Sequence, residues 1–170
     1  YIGMQKKVLS EQAIYSGDVK MPKGYEIDPF ILSKSIFEST YTQTKAPFNQ
    51  TWDKLNKYII EHLRVKYNLR IYNEKTWGTM YFPGEKSNPL RETDLNDLKN
   101  SPDFVCLYGI NAADVMVRIY YDDNRRQGKS WDIPLTHGQF IMFPANNFYH
   151  IENNQKKLLN FIQTITYVYL

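Results

Sequence analysis

Three histidines, His62, His137 and His150, are the only imidazoles in this chain of 170 residues. Imidazole is the commonest metal ligand and the usual proton shuttle near neutral pH, so these residues are where chemistry would be sought first. Their settings differ. His62 lies in a run where Trp52, Leu55, Ile59 and Leu63 recur at three- and four-residue spacing, which makes it a helix-border residue. His137 precedes Gly138 in a turn before a strand. His150 closes Asn147-Phe148-Tyr149-His150, just past the apolar run Gly138-Gln139-Phe140-Ile141-Met142-Phe143-Pro144, and is the best ligand candidate. A non-haem iron site needs two His and one carboxylate on one face, with open positions. Zinc would take His, Cys or carboxylate at tetrahedral spacing. Neither set is present as a local motif. The single Cys106 sits in Phe104-Val105-Cys106-Leu107 and reads as a small buried hydrophobe.

Two other groups could do chemistry. Arg118 interrupts the apolar strand from Val115 to Tyr121. If that strand alternates, Arg118 shares a face with Met116 and Tyr120. Facing a shell interior it must be paired or must bind an anion, and so is a candidate cofactor-binding residue; otherwise it faces outward. The loop Asp122-Asp123-Asn124-Arg125-Arg126-Gln127-Gly128-Lys129-Ser130-Trp131 could grip phosphates and stack a base, but its two aspartates cancel charge. It reads first as a polar hairpin tip. No nucleophile elbow, phosphate-binding loop or dinucleotide fingerprint occurs.

The elements that must position these residues follow from pattern. Fourteen Tyr, nine Phe and three Trp lean the chain toward pleated, half-buried surfaces. Asp28-Pro29 reads as a helix start, followed by a short amphipathic helix to Tyr41. The longest helix opens at Asn49 or Thr51 and ends near Tyr67-Asn68, with Asn as cap. Beyond it come strand candidates at 69–72, 76–82, 104–108, 115–121, 131–135, 139–143, 148–151 and 158–169. Residues 85–100 read as a polar loop with one helical turn. The last strand is long and hydrophobic, so it must be central or paired with another chain. This is an α+β pattern in one domain: a helical lead-in, 1–68, and a jelly-roll core, 69–170.

The C-terminal part resembles the double-stranded β-helix of 2-oxoglutarate/Fe(II)-dependent oxygenases, particularly the small kinds found in marine phages and bacteria. The stretches that carry the likeness are Trp77 to Pro83-Gly84, Arg91-Glu92-Thr93-Asp94, Trp131 to Pro134, Gly138 to Pro144 with His150, and Leu159 to Thr166. In that family a His-x-Asp pair and a distal His hold iron, and an Arg on the last strand binds 2-oxoglutarate. The resemblance places His150 at the distal His and Asp94 at the aspartate. The first His falls on Glu92, and the Arg falls on Leu159 or Asn160. An uncharged or apolar group there removes the bidentate clamp for a dicarboxylate. A Glu92/Asp94/His150 set would hold a harder, more anionic divalent site.

The expected fold is therefore a double-stranded β-helix, cupin-like, with two N-terminal helices packed on it. The expected function is a non-catalytic binding or structural protein on such a scaffold. The alternative is an Fe(II)/2-oxoglutarate oxygenase with His150, Asp94 and Glu92 as ligands. The strand tyrosines suggest a homo-oligomer or other protein assembly as partner. A net charge of +3 without charge blocks demands neither nucleic acid nor membrane. The lone cysteine fits a reducing compartment, hence a cytoplasmic or virion-associated location.

Overall fold

The structure is a computed structural model, and it describes residues 3, 5–7, 12–20, 30, 33–34, 36–38, 50–110, 112–122 and 129–170. The expected helix start at Asp28-Pro29 and most of the 122–131 loop lie outside the described residues. Residues 30, 33–34 and 36–38 are helical.

The long helix, α1 (Gln50–Tyr67), forms where the apolar spacing demanded it. Leu55, Ile59 and Leu63 are fully buried on one face, each contributing about 1.5–3 kcal/mol by leaving water. Asn68 ends the helix at φ 52°, and the amides of Asn68 and Leu69 bond back to the Arg64 and Leu63 carbonyls at 3.0 and 3.3 Å. That left-handed residue satisfies carbonyls the helix would otherwise leave orphaned.

The strands are β1 (Tyr15–Asp18), β2 (Ile71–Tyr81), β3 (Phe104–Ile110), β4 (Val115–Asp122), β5 (Lys129–Leu135), β6 (Gln139–Pro144), β7 (Phe148–Asn153) and β8 (Asn160–Tyr169). They form a five-stranded sheet in the order β1-β6-β3-β8-β2 and a three-stranded sheet in the order β5-β4-β7. The sheets face each other as a jelly roll. Two of the expected strands, 69–72 and 76–82, are one strand. A bulge between Asn73 and Lys75 breaks the alternation that made them look separate. The polar stretch after β2 is less loose than its composition suggests. Leu90 exchanges backbone bonds with Tyr149 at 2.8 and 2.9 Å, and Lys86 bridges Glu152, so this stretch runs along the open side of β7. Its helical turn is a 3-10 turn at Leu98–Asn100.

All seven residues of β3 are buried because the strand has a core on each side. Val105 and Leu107 pack with Val115, Val117, Ile119, Ile141, Phe143, Tyr149, Ile151 and Ile162 between the sheets. Phe104, Cys106, Tyr108 and Ile110 pack with Leu55, Ile59, Leu63 and Ile36 under the helices. Burial pushes the Cys106 thiol far up, as suits an inert core residue. The hydrophobic β8 lies between β3 and β2, paired on both sides, so its apolar surface never becomes an edge.

Gly109 marks the tightest approach in β3. A Cβ there would collide with the Thr136 backbone carbonyl, which cannot swing aside as a side chain could. We predict that Gly109→Ala destabilises the fold by roughly 1–3 kcal/mol, read as a lower denaturant midpoint at unchanged slope.

Candidate functional site

The pleat of β7 assigns the residues around its histidine. Tyr149, Ile151 and Asn153 are buried toward the shell interior, while His150 and Glu152 lie on the outer face. His150 pairs across to Arg118 on β4, which is outward for the same reason. The His150 Nε2 lies 3.1 Å from Glu152 Oε1, and Nδ1 lies 3.0 Å from the Tyr120 hydroxyl. A carboxylate can only accept, so Nε2 carries the proton; in the neutral ring Nδ1 then accepts from Tyr120. Both nitrogens are committed to protein partners.

Arg118 does not enter the shell. Its Nε and Nη2 donate to the two carboxylate oxygens of Asp132 at 2.7 and 3.0 Å, a two-pronged pair on the outer face. Asp132, and after it Tyr120, hold the guanidinium pKa above its ordinary value, and Arg118 in turn holds the Asp132 carboxyl below its own. The anion that Arg118 needed is thus an intramolecular one.

The structure does not bring His150, Asp94 and Glu92 together. Glu92 accepts a 2.7 Å hydrogen bond from the Tyr149 hydroxyl, on the side of β7 opposite to His150. Asp94 holds a turn: its Oδ1 accepts from the Asn96 amide at 2.9 Å, and its own amide donates to Ser101 Oγ at 2.8 Å. Among the described residues no three His, Cys, Asp or Glu side chains converge as a cation site. His62 lies between the rings of Tyr58 and Phe140, and His137 lies in the turn before β6.

The inward residue next to the histidine is Tyr149. It is buried, its ring stacks edge-on against Phe143 at 5.1 Å, and burial followed by the Glu92 carboxylate pushes its pKa far up, so the phenol stays protonated. At the start of β8, Asn160 is buried and spends its amide on Ala113 and Asn153. Nδ2 donates to Ala113 O at 3.1 Å and to Asn153 Oδ1 at 2.5 Å, and Oδ1 accepts from the Ala113 amide at 2.9 Å. Asn153 Nδ2 in turn donates to the carbonyls of Tyr81, Phe82 and Leu158. These amides staple β7, β8 and the end of β2 together. Sequence reasoning missed both Tyr149 and Asn153. The alternation Tyr149, Ile151, Asn153 is the one signal in the sequence that marks them as inward-facing.

The interior is not filled to its end. A cavity of about 740 Å3 opens between the edge of β5, the end of β4 and the stretch entering β1. Ile119, Tyr121, Trp131 and Ile133 line it from the small sheet, and Ile14 and Pro144 lie opposite.

Known structures share this architecture. A Pseudomonas putida prolyl-4-hydroxylase matches with a TM-score of 0.65 over 94% of this chain and 89% of that one, at 10% identity. The α-ketoglutarate-dependent epimerase SnoN from nogalamycin biosynthesis matches at 0.66 over 92% and 78%, at 7% identity. AviO1 from Streptomyces viridochromogenes matches at 0.63 over 92% and 90%, at 11% identity. The shell is a jelly roll of the double-stranded β-helix kind, the fold it shares with these structures. No family model and no curated protein matches the sequence. At such identities the likeness reaches the fold and stops there.

Two expectations follow for this double-stranded β-helix. Tyr149→Phe leaves Glu92 without its donor and costs about 1–2 kcal/mol in denaturant unfolding, as for a lost charge-assisted bond. Asp132→Asn costs less than about 1 kcal/mol at neutral pH, because the pair is half exposed. The sign follows from the lowered carboxyl. Its contribution is present above the ordinary value of 3.8 and fades as pH falls through the folded value. The gap between variant and wild type therefore closes on acidification.

Proposed function

We propose that this chain is a non-catalytic binding protein built on a 2-oxoglutarate oxygenase-like shell. The bond between Tyr149 and Glu92 carries this reading. It puts a protonated phenol on the inner face of β7, while His150, which the resemblance placed at the distal histidine, lies on the outer face, and it ties up Glu92, which the resemblance placed at the first histidine. Iron at Glu92 would have to break that bond. Asn160, one of the two positions that resemblance gave to the arginine, is uncharged and fully engaged with Ala113 and Asn153, so it offers no fork for a dicarboxylate. Leu159, the other, is apolar. These residues do not fit Fe(II) with 2-oxoglutarate. The imidazole that would have supplied a nitrogen ligand faces away, held by Glu152 and Tyr120.

Anaerobic titration with Fe(II), and calorimetry with Mn(II) as its redox-stable substitute, test the reading. Both are run with and without 2-oxoglutarate. Wild type, Glu92→Gln and His150→Ala are expected to show no stoichiometric site in the micromolar range and no consumption of 2-oxoglutarate. One equivalent of metal bound by wild type and lost in either variant would establish the oxygenase alternative instead.

A further inference from the structure

The outer face of the small sheet holds three groups in a line that the shell interior does not use. In the β4–β7 ladder, Tyr120 is opposite Phe148 and Arg118 is opposite His150. On one face of an antiparallel pair, the diagonal neighbour is within reach of a long aromatic side chain. Tyr120 thus meets His150 diagonally. Its hydroxyl lies 3.0 Å from Nδ1, and the two rings are 5.7 Å apart and tilted by 51°. Two residues further along β7, on the same face, Glu152 Oε1 lies 3.1 Å from Nε2. The order across the face is phenol, imidazole, carboxylate.

That order fixes the protons. The carboxylate holds the ring proton on Nε2, so the Nδ1 lone pair faces the phenol O–H. A hydroxyl within reach of a base, with the base oriented by a third group, is the arrangement that activates a nucleophile. When the phenol proton passes to Nδ1, the imidazolium keeps its bond to Glu152, now with charge on both partners. The phenolate left behind faces the Arg118 guanidinium, whose pKa Tyr120 helps to hold up. Asp132 grips that guanidinium by two of its N–H groups at 2.7 and 3.0 Å and fixes it beside the phenol. The His150 and Glu152 side chains are 12% and 18% exposed, so water competes little for the bond between them. Tyr120 is half-buried, and the Arg118–Asp132 pair beside it stands partly in water, so the face is reached from solvent.

We infer that Tyr120 is a covalent acceptor: its phenol oxygen takes an acyl group from an activated ester, with His150 as general base and Glu152 holding the imidazole. In that step the bond from Tyr120 Oη to the acyl carbon forms, and the bond from the acyl carbon to the ester oxygen breaks. The leaving oxygen keeps the electron pair, and the phenol proton goes to His150 Nδ1 and from there to solvent. No oxidant, reductant or metal enters. The site lies on the outer face, so it goes beyond the reading of the shell interior and does not depend on it.

The probe is p-nitrophenyl acetate, which releases p-nitrophenolate. A short pulse on the whole chain, followed by peptide mapping in the mass spectrometer, reads the acetylation rate of each tyrosine. Access and activation predict opposite orders. Tyr72 and Tyr121, 50% and 43% exposed, react ahead of half-buried Tyr120 if access alone decides. Tyr120 should instead be acetylated about tenfold faster than either, or more. A positioned base supplies roughly 100- to 10,000-fold, of which the lower exposure takes back a part. His150→Gln keeps a hydrogen-bonding amide but no base, and should bring Tyr120 down to the Tyr72 rate or below. Glu152→Gln can offer Nε2 a donor as well as an acceptor, which frees the tautomer, and should slow Tyr120 by about tenfold. Each rate is taken relative to Tyr72 in the same chain, so a general change in reactivity cancels. A wild-type Tyr120 no faster than Tyr72 overturns the inference. So does a His150→Gln chain in which Tyr120 keeps its wild-type ratio. Metal content enters neither outcome, so a failure here is distinct from a failure of the non-catalytic reading.

Discussion

Successive side chains of β7 point to opposite faces of the three-stranded sheet because the strand is pleated. The whole interior depends on that phase. Ladder pairing with β4 sets Tyr149 opposite Ile119 and Ile151 opposite Val117, so these four share the buried face. Moving the register by one residue would bury His150 and Glu152 and expose Tyr149 and Ile151. The cost would be several buried apolar groups at about 1.5–3 kcal/mol each, plus two polar groups taken out of water. The histidine is outside because the tyrosine and isoleucine beside it are inside.

The large sheet enforces the same phase from the other side. Its central strands β3 and β8 are sandwiched between two apolar layers, one made with the small sheet and one with the helices. Strands buried on both faces cannot slide without burying a wrong residue somewhere, so their register is over-determined. Several polar groups on and beside these strands are bonded locally, whereas Gln163 Oε1 on β8 is buried with no partner among the described residues. Thr76 Oγ1 donates to the Thr164 carbonyl at 3.0 Å, and the Lys75 amide at the bulge donates to Thr166 Oγ1 at 3.1 Å. The openness at the mouth follows from the same architecture. Among the described residues the small sheet ends at β5, and no described strand covers Trp131 at that edge.

Charge is sorted accordingly. The outer face of the small sheet carries Lys86, Glu152, His150, Tyr120, Arg118 and Asp132, linked in sequence by ion pairs and hydrogen bonds. These groups keep part of their hydration, so each pair adds little stability. Their arrangement keeps these particular ionic groups outside the shell and balances charge on a surface that no described helix covers. No described helix is long and apolar enough to cross a membrane.

Composition and spacing alone determined a good deal of this protein. The three- and four-residue recurrence of Leu55, Ile59 and Leu63 located α1, and Asn68 located its end, because helix geometry and left-handed tolerance are local properties. The aromatic runs after Phe104 located six strands for the same reason. The two-sheet shell was legible because many short strands with tight turns have few ways to bury one face. What sequence could not decide was which face each candidate residue occupies. His150 looked like a ligand, Arg118 like an anion site, and Glu92 and Asp94 like partners. The first two of these choices turn on strand phase. Phase is settled by the summed burial of residues far apart in the chain, here Ile119 against Tyr149 and Val117 against Ile151. Only the tertiary structure performs that sum. It sends the histidine and the arginine outward, ties Glu92 to Tyr149, and leaves Trp131 open at the mouth.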